Sequence, residues 1–125
     1  MSSSELGRVL ILESDYSNRI LFSEYLEHCG YTVYPLADEQ KMFECLEAFH
    51  PNVLILDLRM PVIDGFTLIG QLRSHPQWQQ VSILVVSGCT LLSEKRKAYQ
   101  LGANAYLTKP FFPSDLSSVV ARLIG

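Results

Sequence analysis

Val53-Leu54-Ile55-Leu56 is an unbroken apolar run that ends directly in Asp57. Leu58-Arg59-Met60-Pro61 and then Asp64-Gly65 turn the chain straight afterwards. A run with no polar face suits a strand covered on both sides, as in a parallel sheet. A charge at the end of such a strand is expensive to bury unless it is paired or used. The carboxyl ends of strands are also where open α/β sheets collect their ligands.

Three further runs have the same build, at residues 9–12, 83–86 and, shorter, 105–107. A weaker run at 31–34 is expected to end at Pro35. Between them lie segments with helical spacing. In the first, Leu21 and Tyr25, and Phe22, Leu26 and Cys29, repeat on one face, with Gly30 as the stop. The second is read from about residue 38 to 49 and the third from about 66 to 74. The fourth is read from about 91 to 101, and the fifth from Pro113, whose Pro-Ser-Asp chemistry suits a helix start.

Five rounds of strand and helix imply a parallel sheet with helices on both faces. Right-handed crossovers and short loops favour a doubly wound, five-stranded sheet of order 2-1-3-4-5, the flavodoxin-like (βα)5 arrangement. One domain is expected over residues 1–125, with 1–7 as a flexible N-terminus and no room for an output domain.

Composition excludes several classes. The net charge of −3 lacks the basic excess of a nucleic-acid binder. No apolar run reaches membrane-spanning length, and Met1-Ser2-Ser3-Ser4-Glu5 lacks the basic start of a signal peptide. Cys29, Cys45 and Cys89 match no zinc spacing and read as reduced thiols of a cytoplasmic protein.

The strand ends gather chemistry: Glu13-Ser14-Asp15 after the first, Asp57 after the third, Ser87-Gly88 after the fourth, Thr108-Lys109-Pro110 after the fifth. In a doubly wound sheet these tips share one crevice. A carboxylate nucleophile with a cation and a hydroxyl beside it suits phosphoryl transfer.

From Arg8 to about Ile124, these residues resemble the receiver domain of bacterial two-component response regulators. The most specific pieces are Asp57-Leu58-Arg59-Met60-Pro61 with Asp64-Gly65, and residues 102–111, Gly-Ala-Asn-Ala-Tyr-Leu-Thr-Lys-Pro-Phe. The resemblance implies that Asp57 accepts a phosphoryl group from a sensor histidine kinase, a phosphotransfer protein or a small phosphodonor. It implies that Lys109, often joined to Pro110 by a cis bond, pairs with a phosphoryl oxygen. It implies that Ser87 is the hydroxyl that turns toward the phosphoryl group, and that Tyr106 is the aromatic switch residue. Gly88 leaves access to that site open. The expected metal is Mg²⁺, held by Glu13, Asp57 and the backbone carbonyl of Arg59. The surface of the fourth helix, fifth strand and fifth helix, with Phe112 exposed beside it, is the expected contact for a downstream protein or domain. Lys95-Arg96-Lys97 reads as the wet face of that fourth helix.

One position departs from the pattern. Receiver domains carry two adjacent acids after the first strand, the second a direct Mg²⁺ ligand. Here Glu13 takes the first place and Ser14 the second, while Asp15 comes one residue late. Mg²⁺ wants oxygen ligands in strict octahedral geometry, and a hydroxyl is a poor replacement for a carboxylate. Glu13, Asp57 and Lys109 sum to −1. Asp15 swinging inward, or the longer side chain of Glu13, would restore a ligand. Arg59 is expected either to reach Glu13 and partly occupy the metal pocket or to point into water.

Three readings follow. The first is a phosphorylated switch that is not a turnover enzyme. The second is a pseudo-receiver working through protein contacts alone. The third is an aspartyl-nucleophile phosphatase of the haloacid-dehalogenase type, which needs an aspartate where Arg59 stands. Cys89 reads as an unreactive small residue and Trp78 as local packing. His28, His50 and His75 are assigned no chemistry.

Overall fold

The computed structural model describes residues 6–125. The expectation of a flexible start falls outside the described residues for 1–5. Gly7 is tied down, since its carbonyl accepts a hydrogen bond from the Thr32 N–H at 3.0 Å.

Five strands, β1 (Arg8–Leu12), β2 (Thr32–Leu36), β3 (Val53–Asp57), β4 (Ser82–Ser87) and β5 (Ala105–Thr108), form one sheet. All neighbours are parallel and the order is β2-β1-β3-β4-β5, as the alternation of apolar runs requires. Five helices connect and close them: α1 (Tyr16–His28), α2 (Met42–Phe49), α3 (Gly65–Arg73), α4 (Leu92–Leu101) and α5 (Pro113–Ile124).

The two faces of the sheet carry separate cores because side chains alternate along each strand. Leu10, Leu12, Leu54, Leu56, Ile83 and Val85 pack with α2, α3 and Ala98 of α4. Val9, Ile11, Val53, Ile55, Leu84 and Val86 pack with Phe22 and Leu26 of α1 and Leu116 and Val120 of α5. Every residue of β3 is buried, which is why its run shows no polar alternation.

Two boundaries differ from the expectation, each for a local reason. β2 runs through Pro35 to Leu36, with Pro35 opposite Ile11. β2 is an edge strand, so the missing N–H of a proline need not break the ladder. The second helix begins at Met42 rather than near residue 38, because Glu39–Lys41 form a 3-10 turn capped by Asp38.

Trp78 is buried at the other pole of the molecule from Asp57. It shares a cleft with Pro51, Asn52 and Ser82, at the amino ends of β3 and β4, and its ring lies 5.9 Å from that of His50. His75 packs on Phe43 at 4.9 Å, and His28 closes α1. None of the three histidines lies at a strand carboxyl end.

Candidate functional site

The carboxyl ends of β1, β3, β4 and β5 bring Glu13, Asp57, Ser87 and Lys109 to one edge of the sheet. Glu13, Asp57 and Ser87 are all buried. Lys109 Nζ bridges the two acids, at 2.9 Å from Glu13 Oε1 and 3.1 Å from Asp57 Oδ2. The Lys109–Pro110 bond is cis, and the Lys109 N–H donates to the Ser87 carbonyl at 2.8 Å.

The loop after Asp57 is shaped by contacts at both ends. The Arg59 N–H donates to Asp57 Oδ1 at 2.9 Å, so the backbone turns back against the carboxylate. Asp64 caps α3 by accepting from the Thr67 N–H at 3.0 Å, and the Gly65 N–H donates to the Leu58 carbonyl at 2.8 Å. A Cβ on Gly65 would sit 2.5 Å from Leu58 Cα, so only glycine lets α3 start this close to the end of β3.

Sequence reasoning missed Glu39, which is buried beneath this loop. Its Oε2 accepts from the Val62 N–H at 2.7 Å and the Ile63 N–H at 3.0 Å. Arg19 was missed too. Its guanidinium donates to the Glu13 carbonyl at 2.9 Å and the Ser14 carbonyl at 3.3 Å, fixing the loop that precedes α1.

The acidic loop resolves the alternatives for Ser14 and Asp15. Ser14 is exposed. Asp15 is the N-cap of α1, accepting from the Asn18 N–H at 2.8 Å, so its carboxylate is engaged at the helix start in this structure. Arg59 does not reach Glu13. Its side chain is exposed, and the cation beside Glu13 is Lys109. A guanidinium is weakly rewarded for entering a pocket whose acids already share an ammonium, whereas solvent hydrates it fully.

Electrostatics follow from this packing. Burial raises the carboxyl of Glu13 above its ordinary range; the Lys109 hydrogen bond opposes this and the neighbouring Asp57 carboxylate adds to it. Burial alone would lower Lys109, but its bonds to Glu13 and Asp57 carry it above its ordinary value.

Among the described residues no group of three or more acidic, histidine or cysteine side chains is placed to hold a metal ion. Two carboxylates in one crevice are nevertheless a sufficient protein donor set for Mg²⁺, which keeps several waters and completes its shell with substrate phosphate. The residues present therefore fit that ion.

Beyond β4 the chain turns through Cys89. Its N–H donates to Ser87 Oγ at 3.1 Å, and its carbonyl accepts from the Tyr106 hydroxyl at 3.1 Å. Its thiol donates to the Glu94 carboxylate of α4. Gly88 leaves open space, since a Cβ there would meet nothing within 4 Å.

Comparison with known proteins places the fold among solved receiver domains. The chain is 35% identical over 116 residues to protein RcaC of Microchaete diplosiphon, covering 93% of this chain and 18% of that protein. The next curated relatives are matched over about half their length. The receiver domain of a response regulator from Bermanella marisrubri superposes with a TM-score of 0.87 at 30% identity, covering 94% of this chain and 98% of that one. The receiver domain of a sensor histidine kinase from Pseudomonas aeruginosa, solved with magnesium coordinated in its active-site cleft, gives a TM-score of 0.86 at 27% identity. That match covers 95% of this chain and 98% of the other. Residues 9–121 match the family described as the response regulator receiver domain, and the chain belongs to that family.

Proposed function

We propose that this domain is a phosphorylation switch whose acceptor is Asp57. The observation that carries the reading is the single ammonium of Lys109 shared between buried Asp57 and Glu13, with the buried Ser87 hydroxyl at the end of the neighbouring strand. An Asp57 oxygen attacks the phosphorus of a phosphohistidine or acyl phosphate. An O–P bond forms, the donor's N–P or O–P bond breaks, and the leaving group departs with the electron pair.

The protein contributes orientation and charge. The Arg59 N–H holds one Asp57 oxygen and Lys109 holds the other, so the carboxylate is fixed before the donor arrives. Lys109 neutralises phosphoryl oxygens as they gather charge, and the Ser87 hydroxyl donates to another. Glu13, Asp57 and the Arg59 carbonyl would hold Mg²⁺, with Ser14 supplying no carboxylate. When bound, the ion supplies charge neutralisation at the phosphoryl group.

The donor in this reading is a sensor histidine kinase or a phosphotransfer protein, which places the domain in the cytoplasm. No described helix is long and apolar enough to cross a membrane. The recipient of the signal is an output protein or domain, docking on α4, β5 and α5. Leu91, Leu92, Tyr99 and Phe112 stand exposed there, Phe112 by 76%. The net charge of −3 gives no support to direct nucleic-acid contact. Incubation with acetyl phosphate and Mg²⁺ tests the reading. The intact mass should rise by one phosphoryl group, and the rise should vanish with chelator or in Asp57→Asn; an unchanged mass at millimolar metal overturns it.

A further inference from the structure

The loop that follows Asp57 carries two groups on which the phosphosite depends. One is the Arg59 N–H, which holds Asp57 Oδ1 at 2.9 Å. The other is the Arg59 carbonyl, a metal ligand in the proposed function. A backbone ligand has no rotamers of its own, so it stands only where the loop puts it. That matters more here than in a site with a second adjacent acid, because Ser14 brings no carboxylate. The course of the chain from Met60 to Ile63 therefore bears on the site itself.

Side chains alone do not fix that course. Pro61 is exposed and Val62 is 65% exposed, which leaves Met60 as the buried anchor. Among the described residues the amides of this stretch have one partner, Glu39. Its Oε2 accepts from both the Val62 N–H and the Ile63 N–H. Bonds to a carboxylate are charge-assisted and stronger than those between neutral groups. No lysine or arginine pairs with buried Glu39 among the described residues, so these two amides are the donors that answer its burial.

The turn that carries Glu39 is itself anchored. It is a 3-10 turn whose N-cap, Asp38, accepts from the Gln40 N–H at 2.9 Å. Met42, three residues past Glu39, is fully buried in the core. On the other side, β2 ends at Leu36, whose carbonyl accepts from the Glu13 N–H at 3.1 Å. The turn is thus tied to the residue that supplies the second carboxylate of the site. β1 lies between β2 and β3, so Glu39 reaches past it to a loop whose strand does not pair with β2.

We propose that Glu39 is a positioning residue for the phosphosite, fixing the loop that presents the Arg59 N–H to Asp57 and the Arg59 carbonyl to the metal. The proposal rests on the phosphoacceptor reading for its metal, while the grip on the loop exists in the metal-free protein.

Two measurements on the unmodified protein test it: amide exchange without metal, and calorimetric titration with Mg²⁺. Trp78→Leu, a core substitution at the opposite pole, controls for lost stability. Without metal, Glu39→Ala should speed exchange at Arg59 several-fold, together with Val62 and Ile63, while Trp78→Leu leaves Arg59 unchanged. An Arg59 rate equal to wild type, or raised as much by Trp78→Leu, overturns the positioning role. With Mg²⁺, Glu39→Ala should weaken binding about tenfold, as loss of a group that orients a metal ligand does elsewhere. Glu39→Gln keeps an acceptor oxygen and drops the charge, so it should recover most of that loss. Equal affinity in wild type and Glu39→Ala overturns the proposal. So does a Glu39→Gln that falls as far as Glu39→Ala, since a remote charge acting on the ion would give that pattern and a held loop would not. A wild type that binds no Mg²⁺ counts against the phosphoacceptor reading, and exchange at Arg59 then decides the positioning role alone.

Discussion

Lys109 Nζ lies 3.1 Å from Asp57 Oδ2, a contact between the end of β5 and the end of β3 that skips the intervening strand. The same nitrogen serves Glu13, so one charge holds two buried acids. Removing it sets two carboxylates against each other in a crevice with little water.

A first expectation concerns pH. The folded-state value of Lys109 is raised above the ordinary 10.5. Its stabilising contribution is therefore fully present below about 10.5 and fades as pH climbs through the higher folded value. The stability gap between wild type and Lys109→Gln should stay flat from neutral pH to about 10.5 and shrink beyond it. Urea titrations across the alkaline range measure the gap. A gap that stays flat through the alkaline range would show that Lys109 gains nothing from its partners.

Ser14→Asp should tighten Mg²⁺ binding. A carboxylate about 4 Å from a divalent ion gains roughly 8 kcal/mol gross at an effective dielectric near 20, most of it offset by desolvation. A residual of about 1.4–2.7 kcal/mol corresponds to a tenfold to hundredfold change in affinity. Calorimetric titration reads it directly. Trp78 fluorescence is a poor choice because Trp78 lies at the opposite pole. Equal affinity in the two proteins would mean that position 14 faces away from the metal.

Asp15→Ala separates a cap from a ligand. Loss of the bond to the Asn18 N–H should lower stability by about 1 kcal/mol. Mg²⁺ affinity should barely move. A large loss of metal binding with unchanged stability would reverse that assignment.

Glu39→Ala removes one acceptor from two backbone donors and leaves the Val62 and Ile63 amides without it. Hydrogen bonds to a charged group contribute about 1.5–3 kcal/mol each, so a loss of about 2–4 kcal/mol is expected once the loop relaxes toward water. Chemical denaturation gives the total. Amide exchange should accelerate at Val62 and Ile63 in particular, and uniform acceleration over the whole sheet would contradict a local latch.

What was legible in the chain follows from what each residue touches. The buried strands announce themselves because both faces are covered; Asp57 and Ser87 each stand one step past such a run, and Lys109 two steps past the shorter run of β5. Their convergence follows from strand order alone. Pro35 misled because a proline ends a strand only when its N–H is needed, and an edge strand leaves one side of the ladder open. Glu39 was illegible because Asp38, Gln40 and Lys41 surround it with polar residues, and the donors it serves lie 23 and 24 positions away. The pairing of Arg59 with Glu13 failed on geometry. Arg59 turns its backbone to Asp57, which sends its side chain outward, and Lys109 reaches Glu13 from β5. The contacts of Cys89 with Ser87, Glu94 and Tyr106 were illegible because they join separate elements of the fold.

The central claim is that Asp57, among several acids at this edge, takes the phosphoryl group. Borohydride reduces an aspartyl phosphate to homoserine, which survives proteolysis and marks the residue in peptide mass spectra. After treatment with acetyl phosphate and Mg²⁺, homoserine should appear at position 57 and nowhere else, and substituting Ser14→Asp should lower the Mg²⁺ needed for half-conversion. Homoserine at Asp15 or Asp64, or none at any position under saturating metal, would contradict it.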